Sequence, residues 1–384
     1  MKTRLTRRAF VRRALAASAL TCAPRALAAP PTRFSFVLLG DLHYDALAHH
    51  DMAWVGKDKP ADVSQIKNYS RITAEVTPLL LATVRETIAA LNRDAATRVA
   101  FVLQAGDLVE GLCGSEELSV RQNTEALAAV RAAQLGAPLL FTKGNHDITG
   151  PGAAAAFARV FHPFLSAQAR RVMRGAAEVT SGSYTIDCGN AQFAFFDAYE
   201  AARSLEWFEA VAAKRTAEHL FVAVHPPVVP YGARATWHVF SSERERARRE
   251  KFLALLGDQR ALVLGGHIHR FCALARTAGR GRFAQLAVSS ILGAPAVQAK
   301  TPLAGVASYN ADQVRVEPNF SPANEAERRA VYDAERPFIT AFDYADLPGY
   351  AVVAIDGPRV TVRMFSGATR ELWRTVDLAA LARG

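Results

Sequence analysis

The stretch "FTKGNHDITG" (141–150) breaks an apolar run with an abrupt Asn-His-Asp cluster. Gly-Asn and Asn-His-Asp are common turn material, so Gly144-Asn145-His146-Asp147 taken alone reads as the turn that ends a buried strand. The other reading is three side chains gathered for chemistry. The rest of the chain weighs on the second side, because the same arrangement recurs.

"FSFVLLG" (34–40) runs into Asp41-Leu42-His43, and "VAFVLQ" (99–104) leads to Gly106-Asp107. "HLFVAVH" (219–225) ends on His225, and "RALVLGGH" (260–267) opens Gly266-His267-Ile268-His269. Each is a continuous apolar run of strand length. Helical signals lie between them. Thr77-Pro78 reads as a cap with proline at the first helical position, and Leu80, Val84, Ile88 and Leu91 then mark one face. Gly136 stops a second helix. "GSYTIDCG" and "AQFAFFDA", joined at Asn190, predict an antiparallel pair. Strands alternating with helices predict a sheet buried between helical layers, with functional loops beyond the carboxyl ends of the strands. The polar clusters sit there.

Two Asp, one Asn and four His form an oxygen and nitrogen donor set without thiolate, suited to Mn, Fe, Zn or Co. Seven donors (Asp41, His43, Asp107, Asn145, His225, His267, His269) are too many for one tetrahedral site. They suit two adjacent ions sharing a carboxylate, and Asp107 is the candidate bridge because it stands alone on a central strand. Two metals ~4 Å apart can clamp phosphate oxygens and lower the pKa of a bridging water towards ~7.

The ordered set D-x-H, GD, GNHD, H and GHxH, spread over residues 34–295, resembles the calcineurin-like metallophosphoesterase superfamily. The resemblance implies an α/β fold, a β-sandwich of two mixed sheets flanked by helices in four layers. It implies hydrolysis of a small phosphate ester, monoester or diester, by a metal-bridging hydroxide. Asp41, His43, Asp107 and His269 would hold one ion, and Asp107, Asn145, His225 and His267 the other. His146 would contact the substrate or protonate the leaving oxygen, with Asp147 orienting its imidazole. A non-enzymatic protein on the same fold and a nuclease or pyrophosphatase are the alternatives. Purple acid phosphatases carry a Tyr three residues after the second-block Asp, where this chain has Glu110, which argues against that di-iron subgroup.

The formal net charge of +10 suggests nucleic acid until its distribution is read. Residues 1–28 hold seven basic residues and no acid, and removing those seven from 46 leaves 39 against 36 acidic ones, a net of +3. No nucleic-acid partner is expected. The terminus instead reads as an export signal: "TRRAFVRR" (6–13), a short apolar stretch, then "ALA" at 26–28. The run is too short for a stable membrane anchor. The Arg7-Arg8 pair resembles the twin-arginine type, which would make the twin-arginine export machinery a partner of the precursor and put the product in the periplasm or outside the cell.

The catalytic domain is then 29–384, with aperiodic insertions at about 44–76 and 298–345 and a C-terminal hairpin over 349–366. Through His49, His50, Trp54, Lys57 and Lys59 the first insertion suits a roof over the site, and a surface excursion is the equal alternative. The second reads as long loops. Cys113, Cys188 and Cys272 remain after processing, an odd number that excludes a complete disulfide framework. Unpaired apolar packing is the simpler reading, with a Cys113–Cys272 bridge as the alternative.

Overall fold

A computed structural model describes residues 32–232, 237–310 and 325–384, so the predicted signal over 1–28 lies outside the described residues. Two mixed sheets form the centre. The first holds β1 (Arg33–Leu39), β2 (Val99–Gln104) and β3 (Leu139–Phe141) as parallel neighbours. The second contains β4 (Tyr184–Cys188), β5 (Ala191–Phe195), β6 (His219–Ala223), β7 (Leu262–Gly265), β8 (Phe271–Ala278) and β9 (Gly281–Ala287). Later come β10 (Lys300–Ala304) and β11 (Ile339–Asp346), then β12 (Gly349–Asp356), β13 (Arg359–Ser366) and β14 (Leu372–Asp377). The orders are β14-β13-β12-β1-β2-β3 and β10-β11-β8-β9-β7-β6-β5-β4.

The single sheet that alternation alone suggests is therefore two, as the family resemblance implied. Apolar periodicity marks burial and carries no label for the sheet a strand joins. The sheets meet through phenylalanines. Phe36 of β1 stacks on Phe101 of β2, with centroids 5.3 Å apart, and meets Phe193 and Phe221 of β5 and β6 edge-on at 5.3 and 5.5 Å. Strand alternation then separates two cores. Phe221 and Ala223 face the sandwich, while Leu220 and Val222 pack into a second cluster with Phe208 and Phe252.

Both stretches read as aperiodic contain regular structure. Residues 44–76 form α1 (Met52–Asp58) and α2 (Val63–Glu75), and α2 buries Ile66, Tyr69 and Ile72 at three-residue spacing. Within 298–345, β11 is a full member of the second sheet, antiparallel to β8, and α3 (Glu325–Glu335) precedes it. Polar exposed faces diluted the periodicity of both. Cys113, Cys188 and Cys272 are unpaired, the simpler of the two readings. Among the described residues no helix is long and apolar enough to cross a membrane.

Candidate metal centre

The carboxyl ends of β1, β2 and β3 in one sheet and of β6 and β7 in the other open onto one cavity of about 570 Å³. The backbone joins these ends directly. The Asp107 carbonyl accepts from the amides of Leu42 and His43, both at 3.0 Å, and the Asp41 carboxylate accepts from His267 N at 2.9 Å. Four of the predicted donors hold left-handed backbone: His43 (φ 44°), Asp107 (55°), His267 (71°) and His269 (57°). Such a conformation costs on the order of 1–3 kcal/mol per non-glycine residue and persists where the surroundings over-determine it. Gly144 and Gly266 allow the close packing. A methyl on Gly144 would run into the amide and carboxylate of Asp107, and one on Gly266 into the Asp41 carboxylate.

All seven predicted donors come together. Asp41, His43 and His269 form one group whose ligand atoms lie within 4.8 Å of one another, and Asp107, His225 and His267 form a second. His43 donates from Nδ1 to Glu110 Oε2 at 2.7 Å, and His225 from Nδ1 to the Ala105 carbonyl at 2.7 Å. Each Nε2 is thereby turned inward: that of His43 lies 3.1 Å from His269 Nε2, and that of His225 3.2 Å from His267 Nδ1. Holding one ring nitrogen so that the other faces a metal is the usual outer-shell device. Asp107 Oδ2 lies 3.0 Å from His225 Nε2 and 3.9 Å from His43 Nε2, so this one oxygen faces both groups.

Two tests indicate that the residues fit cations. The Asn145 side-chain oxygen is buried without a hydrogen-bond partner, an acceptor that calls for a donor or a cation. The charges point the same way. Burial opposes a proton on His43 and His225, but the carboxylates of Glu110 and Asp107 beside His43, and of Asp107 and Asp41 beside His225, outweigh it and push both up to about 9. His267, with burial and the His225 charge against it, is pushed down to about 3. The carboxylates thus favour positive charge at these two imidazoles, and a cation held there would supply that charge in place of their protons.

The Asp147 reading needs correction. Its carboxylate does not touch the His146 ring; it accepts from the amides of Gly144 (2.7 Å), Asp107 (3.0 Å) and Val109 (3.2 Å). Asp147 is a clamp between two strand-end loops, because three amides pointing into a buried space leave a carboxylate no better use. His146 is held by Glu110 instead, its Nδ1–H donating to the Glu110 carbonyl at 2.8 Å. Asp107 also stands nearer the sheet edge than a central position implies, since β2 is separated from that edge only by β3.

The first insertion does line the cavity, but not through the residues named for it. His49 and His50 are buried against Glu125 and Asp45 at 2.8 and 2.7 Å, Trp54 packs against the small core of Val55, Ile66 and Leu112, and Lys57 and Lys59 are exposed. The contributors are Tyr69, stacked on His43 with centroids 4.2 Å apart, and Gln65, which donates to Glu110 Oε1 at 2.8 Å. Tyr199 and Trp237 complete the lining. Burial first, then the Asp107 and Asp147 carboxylates, push the Tyr199 phenol well above its ordinary range, so it remains a donor. Only the three-residue spacing of Ile66, Tyr69 and Ile72 signalled any of this in the sequence.

No curated protein sequence matches the chain. Among solved structures, the purple acid phosphatase PPD1 of yellow lupin (Lupinus luteus) seeds aligns with TM-score 0.51 at 12% identity, over 89% of this chain and 53% of its own. The chain thus spans about half the length of the lupin enzyme. A dimetal phosphatase from Danio rerio aligns with TM-score 0.48 at 15% identity, over 90% and 99% of the two chains. GAP50, the anchor in the inner membrane complex of Plasmodium, aligns with TM-score 0.46 at 13% identity, over 91% and 89%. At 12% identity the likeness to the lupin enzyme is one of fold. Residues 34–271, which carry every donor described above, match the calcineurin-like phosphoesterase family, and the chain belongs to it.

Proposed function

We propose that this site binds two divalent ions and hydrolyses phosphate monoesters or diesters. Asp41, His43, Asp107 and His269 hold one ion, and Asp107, Asn145, His225 and His267 the other, with the Asp107 carboxylate shared. The reading rests on one observation above others: two donor groups meet at a single carboxylate oxygen facing both. When bound, such ions supply Lewis acidity, which lowers the pKa of water and offsets charge on the phosphoryl oxygens. The chain's own residues do the remaining work. His146, with Nδ1 committed to Glu110, offers Nε2 to the substrate as hydrogen-bond partner or proton donor to the leaving oxygen. Glu110 and Asp147 hold the loops on which His43, Asp107 and His146 stand.

Elemental analysis of the purified protein, combined with rates on aryl phosphate monoesters and diesters after chelation and readdition of Mn, Fe, Zn or Co, tests this. About two equivalents of metal and metal-dependent turnover are expected; no turnover with any ion would overturn it. Residues 1–28 we assign to a twin-arginine export signal, with the processed protein in the periplasm or secreted. A precursor with Arg7→Lys and Arg8→Lys should stay in the cytoplasm, and normal export of it would refute the assignment.

A further inference from the structure

The cavity is larger than a phosphoryl group requires; at about 570 Å³ it falls within the ~300–1,000 Å³ of pockets that enclose small organic ligands. Two of its lining residues, Tyr199 and Trp237, belong neither to the donor set nor to its supports. Tyr199 sits on the turn Ala198–Glu200 after β5, where the Asp197 carboxylate accepts its amide at 2.9 Å and is itself paired with Lys143. The ring is thus placed firmly, yet its hydroxyl is buried without a hydrogen-bond partner. A buried donor without an acceptor is costly unless something entering the cavity supplies one. Trp237 presents the opposite anomaly. It is a large apolar ring left 44% exposed, with its centroid 4.9 Å from that of His267 and 6.2 Å from that of Tyr199, nearly parallel to the latter at 22°. Its loop is pinned: Val239 N donates to the Pro227 carbonyl at 3.0 Å, and Arg249 donates to the carbonyls of Val228 and Val239 at 2.9 and 3.2 Å. An unmatched donor and an uncovered indole side by side describe a surface for a ligand with an oxygen acceptor next to a flat apolar group.

We propose that Tyr199 and Trp237 recognise the substrate's organic part: the phenol donates to an oxygen of the phosphate ester, and the indole stacks on a planar aromatic substituent. This rests on the phosphoester reading above. The substrate class is then aryl or heteroaryl phosphate esters rather than compact aliphatic ones.

Calorimetric titration of the metal-loaded protein with phenylphosphonate and cyclohexylphosphonate tests it, since both resist hydrolysis and carry the same charge. The cyclohexyl group is the more apolar, so simple hydrophobicity favours it and only stacking reverses the order. Wild-type protein should bind phenylphosphonate roughly three- to tenfold more tightly. Trp237→Leu should remove that preference, and Tyr199→Phe should weaken both ligands by about three- to tenfold while keeping it. Equal affinities in the wild type, a preference that survives Trp237→Leu, or unchanged binding in Tyr199→Phe would each overturn the proposal. Metal content equal to wild type in both variants excludes a folding defect. Binding of neither phosphonate would instead overturn the phosphoester reading, and the aromatic wall with it.

Discussion

The floor and the wall of the cavity are built by different rules. The floor is seven candidate donors at five strand ends, four of them buried and three half-buried, with glycines opposite the carboxylates and left-handed backbone under four of the donors. The wall is Gln65, Tyr69, Tyr199 and Trp237, drawn from a helix, a turn and a loop, and partly open to solvent. Binding cations needs donors placed to within fractions of an ångström, which strand ends joined by backbone hydrogen bonds can provide. Choosing among organic groups needs only shape and a few polar contacts, which loops can supply and vary. Changes to the floor should therefore abolish chemistry, and changes to the wall should redirect it.

The largest effect is expected from Asp107→Ala. Metal should leave both positions and hydrolysis should fall to background, as elemental analysis and turnover would show; one ion held at full affinity would break the idea of a shared carboxylate. His146→Ala comes next. Its kcat should drop by about 10²–10⁴ with metal content unchanged, whereas unaffected turnover would remove His146 from the mechanism. Glu110→Gln should cost about 10–100-fold in metal affinity, measured by competition with a chelator, because it loosens the His43 ring without removing a donor.

The smallest effect on chemistry should come from beneath the wall. Glu335 is buried between Arg249 and Arg276, at 2.6 and 2.8 Å. Burial alone would raise its pKa, but the two guanidiniums outweigh it and hold the carboxyl below its ordinary value. A depressed carboxyl stabilises the fold above the ordinary glutamate range near 4.3, and that share is lost as pH falls through the lower folded value. Glu335→Gln should thus cost about 3–5 kcal/mol at neutral pH, with the gap to wild type narrowing below about pH 4. Denaturant titrations at several pH values measure this. Because Arg249 also pins the Trp237 loop, KM should rise modestly while kcat stays near wild type; a loss in kcat matching that of His146→Ala would erase the distinction between floor and wall.

The donors were legible because their placement is local. An apolar run, a glycine and a ligand in sequence specify where a side chain leaves a strand, and five such runs name the chemistry. Asp147 was misread at the same scale: adjacency to His146 suggested a partner, while the amides that claim it come from Gly144, Asp107 and Val109. Residues 44–76 were read through their polar exposed faces, which hid Gln65 and Tyr69 on α2.

Residue type and spacing alone placed seven candidate donors at strand ends and carried the resemblance to the family, because metal ligation restricts which atoms will serve and strand ends restrict where they stand. Only the tertiary structure decided which strands join which sheet, that Glu110 holds both His43 and His146, and that Tyr199 and Trp237 sit side by side. Those facts depend on which elements pack together across long sequence separations. Hydrophobic burial drives that packing without direction, so no single segment records its partner.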